Sequence, residues 1–170
     1  MTIQPDKLEI RALALDDSLE ALTVLLHRAY SALADMGLKY LATHQSVEMT
    51  KKRIDSGTCF VAVYAGRIVG TITCQPPGHF KDKGWLSADG VAHIEQLGVE
   101  PEFQKQGIAN RLMDRAEALA RENGVKHLAL DTAVPAKHLI AWYERRGYKT
   151  VDHVNWDITN YESVIMSKEI

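Results

Sequence analysis

The stretch between residues 91 and 123 has the order of elements that can hold an anion. A β-rich run covers 91–99, and after a short turn the spacing of apolar residues predicts a helix over 107–123. The first N–H groups of a helix have no partner inside the helix, and they lie at the positive end of its dipole. Gly107 has no Cβ to keep a ligand away from the backbone, and Ala109 is the next smallest residue. These residues predict a cradle for a pyrophosphate group.

Three side chains could transfer protons. His93 and Glu95 lie two residues apart on the predicted strand, so they share one face of the sheet. Either could accept a proton, directly or through a water molecule, and the alternative is a satisfied polar pair that lines the sheet. Tyr143 lies on a helix predicted over 135–147. Its phenol could donate a proton, and the alternative is an aromatic residue of the core.

The spacing of histidines and cysteines predicts neither a metal site nor a disulfide framework. His93 and Glu95 form the H-x-E pattern of zinc deaminases, but no P-C-x-x-C follows it. Cys59 and Cys74 would lie opposite each other if the hairpin turn between them were at 66–67. We expect both thiols to stay reduced and to pack as small buried hydrophobic groups.

The elements that must position these residues alternate between strands and helices. Strands are predicted at 8–13, 58–64, 68–75, 91–99, 126–131, 148–156 and 163–168. Helices are predicted at 19–30, 46–56, 107–123 and 135–147, with a long polar loop over 76–90. Helices that cover a mixed sheet are the architecture this order implies.

Composition excludes several classes of protein. The chain has 170 residues, of which 46% are hydrophobic and 25% charged, with a net charge of -2. These values are typical of one globular domain, expected over 1–170, and argue against disorder. No apolar run is long enough to span a membrane, and the near-neutral charge argues against binding nucleic acid by bulk electrostatics. The first residues do not resemble a signal peptide, so we expect a cytoplasmic protein.

Two motifs resemble those of the GNAT superfamily of acyl-CoA N-acyltransferases. Gln104, Gly107 and Ala109 form Q-x-x-G-x-A, which is similar to the acetyl-CoA motif of that family. Further along, A-W-Y-E-R-R-G-Y is similar to its second motif, with Tyr143 near the end of a helix before a Gly-aromatic turn. The order of elements resembles that fold over nearly the whole chain. One departure is Ala136, where many members carry an asparagine.

The resemblance implies an α/β fold with a mixed, mostly antiparallel sheet of six to seven strands. The sheet should be splayed in the middle and flanked by about four helices. It also implies acetyl-CoA as co-substrate, with no metal. The residues that would bind it are Leu97, Gly98, Val99, Gln104, Lys105, Gln106, Gly107, Ile108, Ala109 and Asn110. The strand should bulge near its end, where Gly98 suits a bulge, and so free backbone N–H groups to face the thioester.

The resemblance further implies roles for the three proton-transferring residues. Tyr143 would protonate the leaving thiolate, and Glu95 or His93 would be the base for a primary amine. That acceptor could be a small molecule, a lysine or a peptide or protein N-terminus, and Tyr30, Tyr40 and Trp156 would line its pocket. Exposed sheet edges in this fold allow a homodimer. The alternative function is a non-catalytic module that binds or senses acyl-CoA on the same fold.

Overall fold

The strands and helices begin and end close to where the apolar pattern and the turn residues place them. The computed structural model describes residues 1–170. Its strands are β1 (Leu8–Ala12), β2 (Thr58–Tyr64), β3 (Arg67–Gln75), β4 (Val91–Val99), β5 (His127–Ala133), β6 (Lys149–Asn155) and β7 (Glu162–Glu169). Its helices are α1 (Leu19–Ala29), α2 (Ser31–Asp35), α3 (Val47–Asp55), α4 (Ile108–Glu122) and α5 (Lys137–Arg145). The sequence did not predict α2 or a short 3-10 turn at Gly84–Ser87, because so few residues carry no periodic pattern.

The seven strands form one sheet in the order β1-β2-β3-β4-β5-β7-β6. All neighbouring strands are antiparallel except β4 and β5, which are parallel. These two pair only through residues 91–93 of β4 and 127–129 of β5, and beyond these residues they part. The predicted mixed, mostly antiparallel and centrally splayed sheet is therefore confirmed. A gap separates the second halves of β4 and β5.

Helices cover both faces of the sheet. Alternate residues of β2 point to opposite sides: Phe60 belongs to the apolar cluster of α4, whereas Cys59 and Val61 pack with Leu22 of α1. The side chains that α4 buries are Ile108, Leu112, Met113, Ala116, Glu117 and Ala120. None of the helices combines the length and the apolar character needed to cross a membrane. Because α1 and α4 both contact β4, this strand is packed between the two helical layers.

The pairing of β3 with β4 is interrupted by a bulge. The register shifts between Thr71 and Thr73, so Gln96 and Leu97 together oppose one residue of β3. The expected bulge is thus present, but Gly98 is not its strained residue. Gln96 has the left-handed φ of +55°, whereas Gly98 pairs regularly with Thr71. A glutamine in this conformation must be held there by its surroundings, since only glycine adopts it freely.

Gly98 serves a different purpose, which is the close approach of α1 to the sheet. A Cβ built on Gly98 would lie 3.1 Å from the Cβ of Ala29 and 3.3 Å from Cδ2 of Leu26. The glycine therefore sets how closely α1, and Tyr30 at its end, can lie to β4.

The two cysteines do not face each other, contrary to the expectation from the hairpin. The turn lies at residues 65–66, one residue before the expected position. A register shift between Ala62 and Val63 moves the pairing by one further residue, so Cys59 pairs with Thr73 and Cys74 pairs with Thr58. Because paired residues share a face and neighbours alternate, the two buried thiols point to opposite sides of the sheet. A disulfide between them is excluded, and both are free.

Replacement of Gly98 by valine tests the packing of α1. Valine favours strands, so any loss of stability must come from contact with α1. We expect Gly98→Val to lower the free energy of unfolding by about 1–3 kcal/mol, as overpacked sites do, and Gly98→Ala to lower it less. Urea denaturation measures both. Equal midpoints for the native chain and Gly98→Val would show that α1 does not depend on this glycine.

Candidate active site

The turn between β4 and α4 presents a row of free backbone donors. A 3-10 turn at Pro101–Phe103 follows β4, and the side-chain amide of Gln104 donates to the carbonyl of Val99 at 3.0 Å. The N–H groups of residues 107–110 donate to no acceptor in the protein. Gly107 has φ +85°, and nothing lies within 4 Å of a Cβ built on it. Open space above free donors at a helix N-terminus suits an anion.

The other residues predicted for this turn differ in what their side chains can do. Gln106 faces the N-terminal segment, because its Oε1 accepts from the N–H of Ile3 at 2.7 Å. Ile108 is buried in the core below the turn. These two can offer a ligand only their backbone groups. Three predicted residues remain accessible at the surface: Lys105, Ala109 and Asn110.

A cavity of about 210 Å³ lies in the gap between the second halves of β4 and β5. Seven residues predicted for catalysis or binding line it: Tyr30, Tyr40, His93, Glu95, Leu97, Tyr143 and Trp156. Gly98 and Val99 are not part of its wall. Arg53, Asp131 and Tyr161 also line the cavity, although no role was predicted for them from the sequence. They come from α3, β5 and the segment before β7, so no local motif could have joined them.

Tyr143 lies on α5 and is buried, with its ring 4.8 Å from that of Trp142 and 6.1 Å from that of Tyr148. Its hydroxyl makes no hydrogen bond within the protein, although the residue lines the cavity. Burial raises the pKa of this phenol well above its ordinary value. The hydroxyl is therefore protonated at neutral pH and is free to donate to a bound molecule.

Glu95 is an ionised carboxylate held by two partners. Gln75 donates to its Oε1 at 2.7 Å, and the guanidinium of Arg53 lies 3.2 Å from its Oε2. Burial by itself raises the pKa of Glu95, but the nearby Arg53 and His93 and the two hydrogen bonds outweigh burial. The pKa therefore lies below its ordinary value. The carboxylate carries a negative charge into the cavity, and its low pKa makes it a weak base.

His93 is paired with a second carboxylate. Its Nε2 lies 3.1 Å from Oδ1 of Asp131, whose Oδ2 accepts from Nε1 of Trp156 at 2.9 Å. Burial alone raises the pKa of Asp131, but bonds and charge from His93 and a bond from Trp156 hold it below its ordinary value. Because a carboxylate only accepts, Nε2 carries the hydrogen. In the neutral ring Nδ1 then holds the lone pair, and it has no partner in the protein.

Tyrosines form an aromatic wall of the cavity. The ring of Tyr40 lies 5.5 Å from that of Tyr30 and 4.8 Å from that of Tyr161. The hydroxyl of Tyr40 is used by β5, since it contacts Oγ1 of Thr132 at 2.8 Å and accepts from the N–H of Ala133 at 2.9 Å. Tyr40 therefore offers the cavity its ring rather than its hydroxyl. Tyr30 and Tyr161 make no hydrogen bond through theirs.

The loop over 76–90 reaches the cavity through one side chain. The ring of Phe80 lies 4.9 Å from that of His93 and 5.5 Å from that of Trp156. Trp85, which lies in the same stretch of chain, packs on the ring of His127 instead. The loop thus closes one side of the cavity with an aromatic edge.

This sequence is similar to known acetyltransferases. The model of the Acetyltransferase (GNAT) family matches residues 19–148. S-(2-succino)cysteine N-acetyltransferase of Bacillus subtilis (strain 168) is 33% identical over 138 residues, which cover 80% of this chain and 81% of that relative.

Solved structures share the fold at lower identity. A GNAT family acetyltransferase from Elizabethkingia anophelis, solved with acetyl-CoA bound, gives a TM-score of 0.70 at 17% identity and covers 97% of this chain and 99% of that one. The ribosomal-protein-S18-alanine N-acetyltransferase of Escherichia coli gives 0.73 at 18% identity and covers 96% of this chain and 94% of that one.

Removal of Arg53 should raise the pKa of Glu95, because burial then acts with less opposition. A carboxylate with a lowered pKa stabilises the fold above its ordinary pKa, and this contribution is lost as the pH falls through the folded value. In Arg53→Met, Glu95 should take up its proton at a higher pH than in the native chain. Its contribution to the stability of the fold should therefore start to fall at that higher pH. Titration of the Glu95 carboxyl carbon by NMR measures the change.

Lys51→Met is the matched control, since Lys51 lies on the same helix and pairs with Asp55 rather than with Glu95. Its Glu95 should titrate as in the native chain. An unchanged pKa of Glu95 in Arg53→Met would contradict the assignment of this ion pair.

Proposed function

The chain belongs to the Acetyltransferase (GNAT) family, and from that membership we propose that it transfers the acetyl group of acetyl-CoA to a primary amine. The amine attacks the thioester directly while both substrates are bound. One observation carries this proposal: Tyr143, His93 and Glu95 line the cavity between the parted strands, and the free N–H groups of residues 107–110 lie at the N-terminus of α4, the helix that follows β4. A module that only bound acyl-CoA would need none of the three side chains.

The chain's fit to acetyl-CoA rests on backbone groups. The free N–H groups of residues 107–110 suit the pyrophosphate, with Gly107 leaving space for it. The edge of β4 at Leu97, Gly98 and Val99 is left without a β5 partner where the strands part, so the pantetheine arm can pair there like an added strand. The thioester would then meet the bulge, where a backbone N–H can stabilise charge that develops on its oxygen.

The acceptor amine must lose a proton before it attacks, since an alkylammonium has a pKa of about 10.4. Glu95 and Asp131 carry negative charge into the cavity and attract the ammonium ion. Of the two candidate bases, His93 has a ring nitrogen, Nδ1, that no protein group uses, while its Nε2 faces the carboxylate of Asp131. Nδ1 is enclosed by its neighbours, so a proton reaches it only when the side chains around it move. Glu95 is already committed to Arg53 and Gln75. We therefore assign proton acceptance to His93 and attraction of the amine to Glu95.

Tyr143 supplies the proton that the departing thiolate needs. Its hydroxyl is protonated and has no partner in the protein. A thiol has a pKa near 8.5, so the departing sulfur is protonated at neutral pH by the end of the reaction. The raised pKa of Tyr143 makes its phenol a weak acid, and the hydroxyl stabilises the developing thiolate through the hydrogen bond along which the proton passes.

The proposal identifies the acceptor by its reacting group, a primary amine. The relatives named above act on an amino-acid derivative in one case and on an alanine of a ribosomal protein in the other. A cavity of about 210 Å³ with an aromatic wall suits the amine-bearing end of either kind of molecule.

The experiment that tests the function is turnover on a panel of amines. The purified chain is incubated with acetyl-CoA and with free amino acids, S-(2-succino)cysteine, alkylamines or short peptides. Thiol release and the mass of the acetylated product are measured. Acetylation of any amine supports the proposal. Binding of acetyl-CoA by calorimetry without turnover on any amine favours the binding module, and absence of binding overturns both functions.

Gly107→Val should weaken acetyl-CoA binding by about 100-fold or more, because the side chain would occupy the space where the anion approaches the N–H groups. Gly124→Val is the matched control. Gly124 follows the other end of α4, has φ +65° and also has open space around it. Both variants should lose about 1–2 kcal/mol of stability from the left-handed backbone, but only Gly107→Val should lose binding in calorimetry. Equal affinities would show that the cradle lies elsewhere.

Tyr143→Phe should lower kcat by about 100-fold and leave the Kd for acetyl-CoA unchanged, since it removes only the proton donor. Tyr148→Phe is the control, because that buried hydroxyl donates to Glu117 at 3.1 Å, away from the cavity. Its kcat should stay close to that of the native chain. An unchanged kcat in Tyr143→Phe would contradict the acid role.

A further inference from the structure

A buried polar network joins the helices on one face of the sheet to the bulge of β4. At its centre is Gln45, in the turn that precedes α3 and only 3% exposed. Its Nε2 donates to Oγ1 of Thr50 at 2.6 Å and to Oε1 of Gln96 at 2.7 Å. Its Oε1 accepts from Nη1 of Arg53 at 2.8 Å. One amide thus touches the bulge and the ion pair that holds Glu95.

The bulge side of this network explains how a glutamine keeps a left-handed backbone. Gln96 has φ +55° and is 3% exposed. Its side chain is held at both ends, because Oε1 accepts from Gln45 and Nε2 donates to Oγ1 of Thr73 at 3.2 Å. A non-glycine residue persists in this conformation only where its surroundings over-determine it. The contact with Gln45 is one of the two that do so.

The helix side of the network orients Arg53. Its Nη1 is fixed by Gln45, and its Nη2 faces Glu95 at 3.2 Å. The backbone carbonyl of Arg53 also accepts from Gln75, whose amide in turn donates to Glu95. Loss of the Gln45 contact would leave the guanidinium free to turn away from the carboxylate.

We infer that Gln45 is a positioning residue for acetyl transfer: its amide fixes the bulge that faces the thioester and the guanidinium that orients Glu95. The inference rests on the proposed function. Only a neutral amide can do both tasks, since it donates two hydrogen bonds and accepts one at the same site. Gln45 touches neither substrate and acts through Gln96 and Arg53.

The first test compares Gln45→Met with Thr23→Val. Methionine keeps the length of the side chain and removes all three hydrogen bonds. We expect kcat to fall about 100-fold, as for a misplaced reacting group, and the KM for acetyl-CoA to change much less, because the α4 turn that holds the pyrophosphate is untouched. Thr23 contacts Thr50 at 2.7 Å on the side of the network away from the bulge. Thr23→Val should lower the melting temperature but leave kcat within about twofold.

The second test is rescue by glycine at the bulge. Glycine adopts a left-handed backbone without support, so Gln96→Gly should not need Gln45 to keep the bulge. The double variant Gln45→Met/Gln96→Gly should recover at least about tenfold of the kcat lost in Gln45→Met. The part not recovered reports the loss of the Arg53 contact. A merely structural role for Gln45 would give no recovery, because the second substitution also removes the hydrogen bond from Gln96 to Thr73.

Amide hydrogen exchange gives a readout that does not depend on turnover. In Gln45→Met the amides of residues 96–98 should exchange about tenfold faster than in the native chain, and in Thr23→Val they should not. If Gln45→Met does not fold, Gln45→Glu replaces it. The glutamate has nearly the same shape, still accepts from Arg53 and loses both donations.

The outcomes separate this inference from the proposed function. A native chain that acetylates no amine overturns the function, and the exchange rates then decide the inference alone. An active native chain with unchanged kcat in Gln45→Met overturns the inference. Equal losses of kcat in Gln45→Met and Thr23→Val, or absence of rescue by Gln96→Gly, overturn it as well.

Discussion

The position of the cavity in this protein depends on the short stretch over which its two parallel strands, β4 and β5, pair. β4 and β5 share hydrogen bonds through three residues each and then part, although the rest of the sheet is continuous. Unpaired strand edges are normally covered or avoided, because their N–H and C=O groups seek partners. Here the parted edges border a cavity lined by Glu95, Asp131 and Tyr143. The missing pairing creates the space for chemistry and leaves the backbone edge to which an extended ligand can bind.

Charge within the cavity is set by pairs rather than by single residues. Two carboxylates lie among tyrosines and Trp156, where burial alone would favour their protonated forms. Each keeps its charge because a nitrogen-bearing side chain faces it. The guanidinium of Arg53 faces Glu95, and the imidazole of His93 faces Asp131. The two pairs differ in what remains free. The guanidinium leaves Glu95 little capacity as a base, whereas Asp131 leaves His93 with an unused nitrogen. The roles that we propose for the two residues rest on this difference in partners.

The parts of the candidate site that consecutive residues form could be predicted from the sequence. The turn with Gln104 and Gly107 could be recognised because the free N–H groups of a helix and a left-handed glycine belong to a few consecutive residues. Arg53 and Asp131 could not, since Arg53 lies 42 residues from its partner Glu95 and Asp131 lies 38 residues from its partner His93, and each pair meets only in the fold. The bulge was expected at a glycine, but long-range contacts hold Gln96 in that conformation instead.

Periodicity and turn residues predicted the seven strands and four of the five helices, and the family motifs implied the splayed, mixed sheet. Residue chemistry indicated which side chains could move protons, but packing established which of them face each other and which carry charge. A bulge in the hairpin of β2 and β3 shifted the register and placed Cys59 and Cys74 on opposite faces of the sheet, and α1 required Gly98 for its close approach. The physical reason is the same in each case. Periodicity and turn propensity act over a few residues, whereas register, burial and ion pairing depend on side chains that only the packed sheet brings together.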